Sequence, residues 1–258
     1  MYRFKTLNNN TVVLICLMLL VNSFCVFAGD IKVAAGWSRP PYIIPKTHSG
    51  FELDLIKQVL SNMGHKAVFT YVPYERTITM LQHKNVDMAL TLNIKSGLRA
   101  RQLSDVFVVY QNVVLSLKEN KFEINNIQDL ESLTVVAFQG ASEVLGKQFV
   151  EMTTKNNLYM EMADQRRQLE LFLQGEVDAI IIDVNIFNVL STKLTGINQL
   201  KNTTVHPLFP VSPYSAGFKD LELKDQFNSA LRKFVADGDL QTLKRDYNIQ
   251  DFIATHGQ

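Results

Sequence analysis

From residue 31 onward, apolar runs of strand length alternate with amphipathic segments of helix length, and they do so in two blocks. In the first block, runs at 31–35, 67–72 and 87–92 are separated by helical patterns at 51–63 and 74–83. In the second, runs at 134–138, 158–162 and 178–183 are separated by helical patterns at 141–152 and 165–174, and a further helix opens after Asp183. This β-α-β order predicts parallel sheets with crossover helices. The clearest helix is 51–63, where Phe51, Leu55, Val59 and Met63 share one face and Gly64 follows as the stop.

Two extended stretches interrupt the pattern. Residues 106–117 (VFVVYQNVVLSL) are β-branched and too long for one ordinary strand. Residues 204–218 carry Pro207, Pro210 and Pro213, which bar a helix. Both are expected to cross between two lobes. Helices near 222–237 and 240–247, separated by Gly238, are expected to close the chain. One internal echo supports lobes of similar build: Leu81 to Asp87 runs into Met88-Ala89-Leu90, and Leu173 to Asp178 runs into Ala179-Ile180-Ile181. Each reads as helix end, turn, Val-Asp, buried strand.

Residues 1–28 are expected to be a cleaved secretory signal. Arg3 and Lys5 precede the apolar 11–28, and Val26 and Ala28 suit cleavage after Ala28. Both cysteines, Cys16 and Cys25, fall in this segment, so the exported chain needs no disulfide. Phe24 before Cys25 and Ile15 before Cys16 argue against a lipid anchor. Lys plus Arg (26) nearly balances Asp plus Glu (25), which removes the basic footprint that nucleic-acid binding needs.

Enzyme patterns are missing. There is no GxSxG, HExxH, GxGxxG, Walker A or CxxC, and the five histidines lack metal-ligand spacing. No catalysis, metal or cofactor is expected. Several loop positions instead suit a ligand, each with an ordinary structural alternative. Trp37 and Pro40-Pro41-Tyr42 follow the first strand and offer aromatic rings on rigid backbone. Glu52 and Asp54 stand in a first helical turn, where the helix dipole favours acids in any case. Arg76 follows Tyr74 and has the geometry to clamp an anion bidentately. Gln139-Gly140-Ala141-Ser142 joins strand to helix, either as a plain turn and cap or with backbone N–H groups facing an anion. Asp183 ends a buried strand, where it either caps the next helix or meets a cation.

The order Pro41-Tyr42, Gly50-Phe51-Glu52-Leu53-Asp54-Leu55, Tyr74-Glu75-Arg76, Val86-Asp87 with Thr91, Gln139-Gly140-Ala141-Ser142, Val177-Asp178 with Asp183, and 234–247 with Gly238 resembles the extracellular solute-binding proteins of family 3. The resemblance implies an α/β type II periplasmic binding fold: two Rossmann-like lobes with mixed, mainly parallel sheets joined by a two-stranded hinge. Lobe 1 would comprise 29–111 and 208–258, and lobe 2 would comprise 112–207. It also implies a monomeric periplasmic receptor that closes on a small polar, amino-acid-like ligand and delivers it to an ABC permease. A membrane sensor protein as partner, or an enzyme on the same fold, is the alternative. By that resemblance Tyr42 supplies an aromatic wall, Ser142 and the amides near Gly140 hold an anionic group, and Asp183 pairs with an ammonium. Trp37, Glu52, Tyr74, Thr91, Asn93 and Tyr214 complete the expected ligand site. One departure stands out. Relatives show Thr-x-Thr-x-x-Arg, whereas here Thr91 is followed by Asn93, Ser96 stands at the Arg position and Arg99 comes three residues late. Either Arg76, Arg99 or Lys95 replaces that Arg, or the ligand has no α-carboxylate to hold.

Overall fold

The structure is a computed structural model, and it describes residues 29–251. The expected signal at 1–28 lies outside the described residues, as does 252–258. Two five-stranded sheets carry the chain. The first holds β1 (Gly29–Ala35), β2 (His65–Tyr71), β3 (Met88–Leu92), β4 (Leu103–Tyr110) and β10 (Ser212–Phe218), in the order β2-β1-β3-β10-β4. The second holds β5 (Asn112–Leu117), β6 (Val135–Phe138), β7 (Tyr159–Met162), β8 (Ala179–Asp183) and β9 (Thr203–His206), in the order β7-β6-β8-β5-β9. Helices α1 (Phe51–Asn62), α2 (Tyr74–Gln82), α7 (Leu221–Ala236) and α8 (Asp239–Asp246) flank the first sheet. Helices α3 (Ala141–Val144), α4 (Lys147–Lys155), α5 (Gln165–Leu173) and α6 (Val184–Thr195) belong to the second.

Both sheets are mixed in the same way. β1, β2 and β3 are parallel, and β10 runs antiparallel to β3 and β4 on either side of it. β6, β7 and β8 are parallel, and β5 runs antiparallel to β8 and β9. The reason lies in the crossings. β4 ends at Tyr110 and, after Gln111 alone, β5 begins in the other sheet; β9 ends at His206 and β10 begins at Ser212. Each crossing leaves from the carboxyl edge of one sheet and enters at the carboxyl edge of the other, so the entering strand must run against its neighbours. The carboxyl edges of both sheets therefore meet at the crossings, the place where open α/β sheets present ligand-binding loops.

Alternation along the buried strands sorts the core. Val113, Leu115, Ile180 and Ile182 join Val33, Ala35, Tyr42, Phe51 and Tyr110 in one cluster that runs through both sheets. Val114, Ala179 and Ile181 face the opposite side, against Phe149 and Phe209. Successive side chains point to opposite faces, so central strands covered on both sides are apolar throughout. The sequence echo has a structural counterpart. The Asp87 carboxylate accepts the Lys32 N–H and the Asp178 carboxylate accepts the Thr134 N–H, each at 2.8 Å, while each Asp donates its own N–H to the carbonyl of the same residue. In both sheets an Asp thus pins the start of a parallel strand pair.

The helix read from the sequence at 141–152 is two helices here. Gly146, at φ 101°, breaks the run between α3 and α4. Helix α1 matches its reading: Gly50 precedes it at φ 119°, and it ends at Met63 with Gly64 in the left-handed region at φ 83°.

Candidate functional site

The site grows from one turn after β1. The Arg39 N–H donates to the Ile43 carbonyl and the Tyr42 N–H to the Arg39 carbonyl, both at 2.8 Å, around a cis Pro40-Pro41 bond. This turn presents Arg39 and Tyr42 at the carboxyl edge of the first sheet. The fully buried Tyr42 ring stacks on Tyr110, the last residue of β4, with centroids 4.3 Å apart and planes 22° apart. Tyr110 meets Tyr214 of β10 edge-on at 5.3 Å. The Arg39 guanidinium lies 5.4 Å from the Tyr110 ring centre, and its Nη1 donates to the Tyr110 hydroxyl at 3.2 Å.

Glu52 turns inward from the first turn of α1 and is fully buried. Its Oε1 accepts the Tyr110 hydroxyl at 2.5 Å and its Oε2 accepts the Thr91 hydroxyl at 2.7 Å. Burial raises the Glu52 pKa, while the two donors and the Arg39 charge pull against the rise. Burial alone would lower the Arg39 pKa; the Tyr110 and Glu52 fields outweigh it, so the guanidinium stays charged. Tyr42 and Tyr110 are pushed well above the ordinary phenol value and Tyr214 to about 12, in each case first by burial, so all three stay neutral.

Thr91 holds a left-handed backbone, φ 61°, inside β3. A β-branched residue there is strained by about 1–3 kcal/mol. Register explains it. Leu92 pairs with Ser215 and Ala89 with Gly217, so β3 has one residue more than β10 between these pairs. The bulge re-aims the Thr91 hydroxyl at Glu52.

On the second sheet, Asp183 is 1% exposed and caps α6, accepting the N–H groups of Asn185 at 2.9 Å and Ile186 at 3.0 Å. It also accepts the Gln111 N–H at 2.7 Å and, from the other sheet's turn, the Tyr42 hydroxyl at 3.1 Å. Four protein donors thus surround the carboxylate that the resemblance assigned to a ligand ammonium. Burial still outweighs them and raises its pKa to about 6. Asn185 Nδ2 adds a bond to the Tyr42 hydroxyl at 3.1 Å, and the Gln250 carbonyl receives Gln111 Nε2 at 2.6 Å.

The turn at Gly140 holds an anion of its own. The N–H groups of Gly140 and Ser142 donate to the two Glu161 oxygens at 2.6 and 2.8 Å, and Tyr159 adds a bond at 2.7 Å. Desolvation opposes these bonds, yet the Glu161 pKa comes out lowered. The amides expected to face a ligand thus face an internal carboxylate; Gln139 is exposed beside them.

The structure therefore gathers Tyr42, Glu52, Thr91, Asp183 and Tyr214. Tyr74 adjoins them, bonded to Ser96 at 3.2 Å and acting on Tyr214 through its field. Others lie apart. Asn93 caps the 3₁₀ turn Ile94–Ser96 by accepting the Lys95 N–H. Arg76 and Lys95 are exposed, Arg99 is exposed and spends its Nε on Gln102, and Trp37 is 65% exposed. Sequence reading missed Arg39, Tyr110, Gln111 and Asn185. Arg39 stood directly before the Pro40-Pro41-Tyr42 run that drew attention, and Tyr110 and Gln111 stood inside the crossing. Among the described residues no cluster of His, Cys, Asp and Glu is placed to hold a metal, and no helix is long and apolar enough to cross a membrane.

Residues 31–250 match the profile of bacterial extracellular solute-binding proteins, family 3. The arginine-binding extracellular protein ArtP of Bacillus subtilis (strain 168) is 27% identical over 207 residues, 77% of each chain. The L-cystine-binding protein TcyA of the same organism is 22% identical over 206 residues, covering 79% of this chain and 74% of TcyA. An ancestral arginine-binding protein bound to arginine superposes with a TM-score of 0.65 at 20% identity, over 86% of this chain and 99% of that one. With the profile spanning both sheets and both crossings, the chain belongs to the bacterial extracellular solute-binding proteins, family 3.

Proposed function

We propose that this protein is a periplasmic receptor that closes two lobes, 29–111 with 208–258 and 112–207, on an amino acid or a close relative and delivers it to an ABC importer. The reading rests on one observation above all: the carboxyl edges of two sheets meet at two crossings, and an aromatic and charged cluster sits between them. Three phenols, two carboxylates and one guanidinium suit a small ligand with both apolar and charged parts. The relatives that bind arginine and cystine supply the ligand class.

Calorimetry of the purified protein with L-arginine, L-cystine, L-histidine, L-glutamine and L-glutamate tests it. At least one should bind with a micromolar or tighter dissociation constant, and deleting the gene should lower cellular uptake of that amino acid. Binding without any change in uptake would remove the importer role; no binding across the panel would remove the amino-acid role.

A further inference from the structure

We propose that Arg39 is the residue that holds the ligand's carboxylate, taking the place of the arginine missing at Ser96. The inference rests on the receptor reading above and names the residue that gives it specificity.

The Arg39 guanidinium is half-buried at the meeting of the two sheets. It is preorganised from both ends. Its backbone is fixed in the 39–43 turn by bonds of 2.8 and 3.0 Å, and its head is fixed on the Tyr110 ring. Among the described residues its head group makes one side-chain hydrogen bond, Nη1 to the Tyr110 hydroxyl, and no ion pair. A guanidinium has five donors, so four are open. None of its remaining donors is a buried atom without a partner, so they reach solvent and stay available, and a planar fork next to aromatic walls matches the two oxygens of a carboxylate.

Neighbouring acids do not fill the fork. Both Glu52 oxygens are engaged, by Tyr110 and Thr91, and the Asp183 carboxylate is ringed by four donors of its own. Glu52 contributes a fixed negative field that keeps Arg39 charged. The competing anion sites read from the sequence are otherwise disposed: Gly140 and Ser142 amides hold Glu161, Arg99 is turned to Gln102, and Arg76 and Lys95 lie on the surface. Tyr42, Tyr110 and Tyr214 supply a neutral wall beside the fork.

The test pairs each panel amino acid with its α-carboxamide, which removes the anion and keeps the rest. The wild-type protein should prefer the acid to the amide at least tenfold. Arg39→Gln should lose at least tenfold for the acid and stay within twofold for the amide, collapsing the ratio. Arg39→Lys keeps the charge and loses the fork, so its ratio should fall between the two, and it decides the matter if Arg39→Gln does not fold by circular dichroism. Arg245→Gln, an exposed charge loss on α8, should leave the ratio unchanged. An acid-to-amide ratio that survives in both Arg39 variants overturns this inference while leaving the receptor reading intact. If no acid in the panel binds the wild type, the receptor reading fails and this inference falls with it.

Discussion

At the residue scale, the same carboxyl group takes its properties from its donors and its burial together. Glu161 is partly exposed, and bonds from Gly140, Ser142 and Tyr159 leave its pKa lowered; Asp183 accepts four donors but is fully buried, and its pKa rises to about 6. A folded pKa above the usual value of 3.8 means the folded chain holds the proton more tightly than the unfolded one. The protonated form's stabilising contribution is then complete below about pH 4 and is lost as pH rises through about 6. Two pKa steps correspond to about 3 kcal/mol. Urea unfolding at pH 4, 5, 6 and 7 should show the wild type losing up to about that much more stability with rising pH than Asp183→Asn, which keeps an oxygen for the α6 cap. Parallel pH profiles for the two proteins would show that Asp183 does not titrate in this range.

At the element scale, the entry to α1 depends on the absence of one atom. A Cβ on Gly50 would stand 2.4 Å from the Tyr42 carbonyl oxygen and 2.7 Å from its carbon, both backbone atoms of the turn that carries Arg39 and Tyr42. The approach is fixed from the other side as well, because the Phe51 N–H bonds to the Pro41 carbonyl at 2.9 Å and the Glu52 N–H to the Tyr42 carbonyl at 3.0 Å. Gly50→Ala should therefore cost at least about 3 kcal/mol, combining overpacking with left-handed strain. Gly140→Ala should cost only about 1–2 kcal/mol, since its Cβ meets nothing within 4 Å. Thermal unfolding of the two variants checks the order; equal melting temperatures would mean that the turn yields to the methyl group. The Asp87 and Asp178 clamps show element-scale duplication of another kind. Val-Asp after a helix was visible in the sequence, but its purpose, pinning Lys32 and Thr134, required the neighbouring strands to be in register.

At the scale of the whole molecule, two crossings, a few hydrogen bonds and one apolar cluster shared by both sheets join them. One crossing is the single residue Gln111 and the other is 207–211. The Tyr42 hydroxyl bond to Asp183 and the Gln250 contacts to Gln111 and Asn185 cluster at these crossings, near the axis about which the lobes would turn. In the proposed closure, contacts so placed would permit rotation while the parts of the two lobes away from them separate. Small-angle scattering should show a smaller radius of gyration on adding a saturating panel amino acid, and no such change for Arg39→Gln at the same concentration. An unchanged radius for the wild type at saturation would count against closure as the response to ligand.

What the sequence determined by itself is what local rules encode. The period of the apolar residues specified sheets flanked by helices, prolines and β-branched runs marked the crossings, and Gly64 marked the end of α1, because strand pleat, helical turn and left-handed φ are properties of a few adjacent residues. The family motif at 50–55 was legible for the same reason. Its first acid, Glu52, was expected at the ligand site, but its partners were not legible until α1 docks and presents it to Tyr110, 58 residues away. The sequence left the turn at Gly140 and Ser142 open between a plain cap and an anion site, and only the strand beside it supplies an anion, Glu161. Tyr42 and Asp183 meet across 141 residues, and Arg39 finds its ring across 71. These pairings rest on how two sheets bring their carboxyl edges together, a relation between distant parts of the chain to which local periodicity is blind.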